Sequence, residues 1–162
     1  KNCHPIEVER RQSVLAISLQ GVPPVTDKHD TTTASKGYRD HPGYEIKIEP
    51  LNARLRVMFA GEAIIDTEEA FVLHETRHEP VYYFKKSDLP DNVLVSTDHK
   101  THCPFKGDAC YWSLKTENDV SENAVWGYPE PLPEVSELAG LVAFYKDRME
   151  SWWLNDKEIF VA

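Results

Sequence analysis

From Tyr44 onward the chain alternates hydrophobic and polar residues in short bursts. Tyr44, Ile46 and Ile48 are interleaved with Glu45, Lys47 and Glu49, a period of two that turns one face of a strand inward and the other to water. Leu55, Val57 and Phe59 alternate with Arg54, Arg56 and Met58, Ala60-Gly61 supplies a turn, and Ala63 to Ile65 returns. That is a hairpin pattern. Ala70 to Leu73, Val81 to Phe84, Val93 to Ser96, Tyr111 to Leu114 and Ala124 to Trp126 are further β-prone runs, parted by turn residues such as Ser87-Asp88, Pro90-Asp91 and Glu117-Asn118-Asp119. Short strands at this spacing predict a sandwich, a barrel or a similar pair of sheets.

Helical signals are confined to the C-terminal part. Pro133 to Gly140 has proline and acid at its front and glycine behind, which predicts one short helix. Leu141 to Tyr145 returns to strand, and Met149 to Leu154 fits either state. Residues 1–41 read differently. Thr26 to Gly43 is polar, rich in threonine and charge, and closed by Pro42-Gly43, so it is expected to be a partly flexible arm. Ser13 to Leu19 could be a short strand or a helical turn. The expected division is therefore an arm over 1–41 and one domain over 42–158.

Composition narrows the function classes. The 162 residues leave room for one domain with a core, and 27 acids against 18 bases give a formal charge of -9. A protein that neutralises phosphate backbones needs a basic face, so nucleic acid is not an expected partner. The apolar run Val14 to Leu19 is too short to span a bilayer and follows charged residues, which argues against a membrane span and a secretion signal. Three cysteines, Cys3, Cys103 and Cys110, cannot all pair within the chain and form no C-x-x-C, which suggests a reducing, cytoplasmic setting. The sequence starts at Lys1 without a methionine, so a segment upstream is an open expectation.

Two clusters carry candidate chemistry. His74, Glu75 and His78 have the H-E-x-x-H spacing of a zinc peptidase, in which a helix brings both imidazoles to one metal. Here "AFVL" precedes and Pro80 and "VYYF" follow, strand composition on both sides. In a strand the two histidines would lie ~13 Å apart, too far for one zinc. The motif is therefore expected to be a strand ending in a polar turn, and no metal is expected. The denser cluster, "STDHKTHCPFKGDACYW" over Ser96 to Trp112, holds Asp98, His99, His102, Cys103, Lys106, Asp108 and Cys110. It admits three readings: a zinc site; a nucleophilic Cys103 activated by His99 or His102 with Lys106 nearby; or a loop shaped by proline and glycine with Cys103 buried as a small hydrophobe. Aromatics near the turns, Trp112 and Trp126 above all, add the possibility of a pocket for a flat or cationic ligand.

At these residues the chain resembles a known family. "HPGYEIKIEP", "VYYFKKSDL", "STDHKTHCPFKGDACYWSL" and "ENAVWGYPEPLPEVSELAGLVAFYKDRM" are similar, over about residues 41 to 153, to the family catalogued as domain of unknown function 427. The resemblance implies a compact, mostly antiparallel β fold like the β-tent shared by methionine sulfoxide reductase B and the ligand-binding domain of cereblon. The zinc of many such relatives uses four cysteines, and this chain has only three. A nucleotidyltransferase label also attaches to the family, but no G-S motif followed by paired aspartates is present to hold metal and triphosphate. The family pattern falls on Tyr83, Asp98, His99, Thr101 to Gly107, Tyr111, Trp112, Trp126, Tyr128, Pro129 and Ala143 to Tyr145. It also matches Glu75 and Thr76 without requiring a histidine at 74.

Together these readings lead to an expected small-molecule-binding β domain whose pocket lies beside the T-H-C-P-F-K-G segment. Trp112, Trp126 and Tyr145 would wall it, His102 and Lys106 would face a polar or anionic group, and Tyr83, His99 and Tyr128 would complete it. No cofactor is expected, and the chain would act as a monomer or homodimer. Two alternatives stand beside it: an enzyme using Cys103, His102 and Lys106 on a nucleotide-like or acyl substrate, and a protein-interaction module.

Overall fold

The computed structural model describes residues 34–161. The possible strand or helical turn at Ser13 to Leu19, and the arm up to residue 33, lie outside the described residues. A five-residue helix, α1 (Lys36–Asp40), comes first, followed by strands β1 (Ile46–Pro50), β2 (Leu55–Phe59), β3 (Glu62–Thr67), β4 (Phe71–Glu75), β5 (Val81–Lys85), β6 (Leu94–Cys103), β7 (Gly107–Lys115), β8 (Val120–Gly127), β9 (Leu141–Phe144), β10 (Ser151–Leu154) and β11 (Lys157–Val161). Seven of them form one sheet in the order β1-β4-β5-β9-β8-β7-β6, and four form a second in the order β11-β10-β2-β3. Every strand pair is antiparallel.

Strand alternation decides what each face of the larger sheet does. In β7, Cys110, Trp112 and Leu114 point one way, and Ala109 and Tyr111 the other. The first set packs with Phe84, Val125, Val142 and Phe144 against Leu55, Val57 and Trp152 of the smaller sheet, making the dry core between the sheets. The second set joins Leu73, Tyr83, Tyr128 and Ala143 in a separate cluster on the outer face, partly covered by Val135, Leu138 and Leu132. β7 is buried over most of its length because both of its faces are covered.

Several expectations are corrected. Pro133–Leu138 forms no α-helix: it is a 3₁₀ stretch interrupted at Val135, where φ is -135° and ψ 35°. Among the described residues the α-helix is α1, in the segment read as arm. Gly37 explains why α1 can dock there, since a Cβ at that position would lie 2.3 Å from the Pro104 carbonyl oxygen. The histidine-rich cluster is not an irregular loop either. β6 runs through to Cys103, with a bulge between Ser96 and Lys100, and pairs with β7 as a long hairpin. β6 is an edge strand with mostly exposed side chains, so its residues lack the hydrophobic alternation that marks a half-buried strand. Finally, Cys110 is disulfide-bonded while Cys103 is a free thiol, which removes the cysteine count as an argument for a reducing compartment. No helix among the described residues is long and apolar enough to cross a membrane.

Candidate functional site

The H-E-x-x-H residues lie on β4 and the turn that follows it. His74 pairs across the sheet with Lys47, the turn passes through Arg77 at a φ of 64°, and His78 N–H bonds back to the Glu75 carbonyl at 3.0 Å. Glu75 itself reaches across to Lys106. Its Oε2 accepts from Lys106 Nζ at 2.5 Å and its Oε1 accepts from the Tyr44 hydroxyl at 2.5 Å. The two charged side chains are only 10% and 8% exposed. Burial raises the Glu75 pKa, but the hydrogen bonds from Lys106 and Tyr44 outweigh it and leave the carboxyl below its usual range.

Lys106 is aimed by the β6–β7 turn. Lys106 N–H bonds to the Cys103 carbonyl at 3.3 Å, and Gly107 follows at a φ of 102°, a backbone geometry that glycine adopts without strain. A second layer holds this turn from outside. The Tyr38 hydroxyl of α1 donates to the Phe105 carbonyl at 3.0 Å. The Tyr44 ring stacks on Phe105 with centroids 3.6 Å apart and planes within 5°. Ser35 N–H and Oγ–H both bond to the Glu134 carboxylate, at 2.5 and 2.8 Å.

Beside the ion pair lies a cleft of about 480 Å³ on the outer face of the larger sheet. Its walls are Leu73, Val81, Tyr83, Tyr111, Trp126, Tyr128 and Tyr145, its rim includes His78, Glu79, Cys103 and Pro104, and Glu75, Lys106 and Tyr44 close one end. Trp126 Nε1–H donates to the Tyr83 hydroxyl at 3.2 Å, and its ring lies against Tyr145 at 4.7 Å. The Tyr111 hydroxyl bonds with Thr101 Oγ1 at 3.0 Å and with Tyr145. Burial, and then that bond, pushes the Tyr145 phenol up to about 12. Burial likewise drives Tyr83, Tyr128 and Tyr44 upward, so these hydroxyls keep their protons across the physiological range.

The structure thus brings Tyr83, Lys106, Trp126, Tyr128 and Tyr145 to one cleft, with Cys103 at its rim. It does not bring the other three residues there. Trp112, 4% exposed, follows Tyr111 by one residue and therefore points into the core between the sheets, its ring lying 4.2 Å from Lys86 Nζ. His102 alternates with Thr101 and Cys103, bonds Asp108 at 2.7 Å and faces a separate groove of about 430 Å³. His99 packs edge-on to Tyr111 beside Glu122 and Arg148. Sequence reasoning missed Glu75 and Tyr44 as site residues. The signal in Glu75 was an acid at the end of a β run, and the neighbouring histidines drew attention from it. Among the described residues, no three or more His, Cys, Asp or Glu side chains gather as a metal cage would require.

A β domain of two antiparallel sheets, with a tyrosine-rich cleft beside a buried Lys–Glu pair, is the class that fold and site define. The chain belongs to the family described as domain of unknown function DUF427, whose model matches residues 47–155. No curated protein matches the chain.

Proposed function

We propose that this domain binds a small, flat organic molecule in the cleft walled by Trp126, Tyr83, Tyr128 and Tyr145. The observation that carries the reading is the Lys106–Glu75 pair at the end of an aromatic groove. Burying two charges costs several kcal/mol per ion before their attraction repays it, and replacing such a pair with apolar residues is often no loss of stability. A costly polar pair beside convergent aromatic rings is the arrangement of a ligand site. The binding domain would be a variant of the β-tent, with its cleft on the outer face of the larger sheet, and its working unit would begin near Ser35, because α1 and Tyr44 buttress the Pro104–Lys106 turn.

The test is a fragment screen by NMR, following the indole N–H signal of Trp126. Fragments that shift this signal should keep their binding in Cys103→Ser and lose it in Trp126→Ala, where the backbone N–H signals of the cleft residues Tyr83, Tyr111 and Tyr128 report instead. A screen that leaves the cleft signals unmoved would sink the reading.

One observation favours a second reading, an enzyme on an acyl or nucleotide-like substrate: Cys103 is a free thiol on the rim of the cleft that Lys106 closes. Its test is the rate of alkylation by iodoacetamide at neutral pH. A rate well above that of a free cysteine, lost in Lys106→Met, would favour the enzyme over the binding domain.

A further inference from the structure

We infer that the cleft selects an uncharged planar ring whose edge carries hydrogen-bond acceptors, and that the Tyr128 and Tyr83 hydroxyls donate to it. This inference rests on the binding reading above and narrows it.

The charges come first. Lys106 could attract an anion, but its Nζ is bonded to Glu75, and Glu79 adds a second acid to the lining. Two acids, Glu75 and Glu79, thus stand in the lining with Lys106 and His78, inside a chain of formal charge -9. An anion entering the cleft would meet a field of its own sign. A cation would gain from the aromatic faces. However, both Glu75 oxygens already accept a hydrogen bond, and the Lys106 ammonium stands beside them.

The unused hydrogen-bonding capacity points the same way. Tyr128 is 6% exposed, its side chain lines the cleft, and no protein group among the described residues bonds its hydroxyl. Tyr83, 2% exposed, accepts from Trp126 Nε1, which leaves its own proton to give. Burial keeps both phenols protonated, so each is a neutral donor. Among the described residues no fully buried side-chain N or O atom lacks a partner, so the Tyr128 hydroxyl opens to the cleft and its proton is available there. Carbonyl oxygens or ring nitrogens on the ligand's edge would accept from both, while the Trp126–Tyr145 pair, packed ring against ring, offers one face of the ligand an aromatic surface.

The experiment titrates the full chain with three molecules that share one ring: nicotinamide, nicotinate and 1-methylnicotinamide, which are neutral, anionic and cationic at neutral pH. The Trp126 indole N–H signal reports binding. Nicotinamide should bind tightest. Tyr128→Phe should weaken it by about five- to tenfold, the worth of one neutral hydrogen bond, with the spectrum otherwise unchanged. Tyr82→Phe, on the far face of the same strand as Tyr83, should leave the affinity as it was. Equal or tighter binding of either charged ring overturns the inference, as does an unchanged nicotinamide affinity in Tyr128→Phe. If a broad fragment library shifts the cleft signals but nicotinamide does not, this inference falls and the binding reading stands. If nothing in the library does, both fall.

Discussion

The two faces of the larger sheet are built from neighbouring residues and are chemically unlike. Tyr83 and Phe84 are adjacent, as are Tyr111 and Trp112, yet each pair is split between faces. The face toward the smaller sheet takes Phe84, Trp112, Leu114, Val125 and Phe144. Its aromatics meet edge to face, as Phe84 and Phe144 do at 4.7 Å, and the Trp152 indole N–H donates to the Lys146 carbonyl at 3.2 Å. The outer face takes Tyr83, Tyr111 and Tyr128, with hydroxyls bonded to one another's neighbours or left to the cleft. Both faces are buried, but the buried phenol hydroxyls of Tyr83, Tyr111 and Tyr128 belong to the outer one. The inner face is closed by packing, whereas the outer face turns hydroxyl groups toward the cleft.

That contrast can be broken first from the dry side. Trp152→Ala removes a side chain 2% exposed that touches Tyr82 and Phe144. It should cost about 3–5 kcal/mol, read as a lowered urea midpoint, while the folded fraction binds fragments unchanged. A loss below about 1 kcal/mol would show that the inner face is not the main source of stability.

On the outer face, Lys106→Met leaves the Glu75 carboxylate buried without its cation. It should cost about 3 kcal/mol, and adding Glu75→Gln to it should recover most of that loss. The same pair predicts an acid-sensitive component of stability. The Glu75 carboxyl sits below its usual value in the folded state, so the unfolded chain binds its proton more readily. The stabilisation is fully present above the unfolded carboxyl pKa, about 4.3, and is lost as the pH falls through the lower folded value. Urea midpoints measured from neutral pH down to pH 3 should therefore drop more for the parent than for Glu75→Gln. Parallel curves would remove Glu75 as the cause.

Alternation made strands of both faces legible in the sequence. Ile46 to Ile48 and the Leu55 to Ile65 hairpin appear as strands where the pattern placed them. β11 has no comparable pattern and went unread, and β6 was read as strand only over Val93 to Ser96, because its exposed edge position needs no apolar stripe. For the site, composition pointed to Tyr83, Trp126, Tyr128 and Tyr145 but gave no parity, so Trp112 was assigned to a wall it turns away from. Parity depends on register, and register depends on bulges such as those in the β6–β7 and β7–β8 pairs. The Glu75–Lys106 bond spans 31 residues of sequence, and no local pattern announces a contact of that range.

Phe84 is fully buried, and Phe84→Tyr would put a hydroxyl among carbon atoms with no partner. The cost should be about 2 kcal/mol by denaturant unfolding, and a value near zero would mean that water reaches the core between the sheets.

The reciprocal change, Tyr83→Phe, should be the mildest. It deletes the acceptor of the Trp126 Nε1–H bond, but Trp126 is only partly buried, so water in the cleft can take the indole proton. The stability cost should stay at about 1 kcal/mol or less. The larger effect belongs to function, because the Trp126 ring loses the contact that fixes its orientation and the cleft loses a donor. A Tyr83→Phe protein that unfolds like the parent but binds nicotinamide more weakly would separate the two faces by role. If instead Tyr83→Phe destabilises the fold as much as Phe84→Tyr does, the outer face is a second structural core and its hydroxyls serve packing.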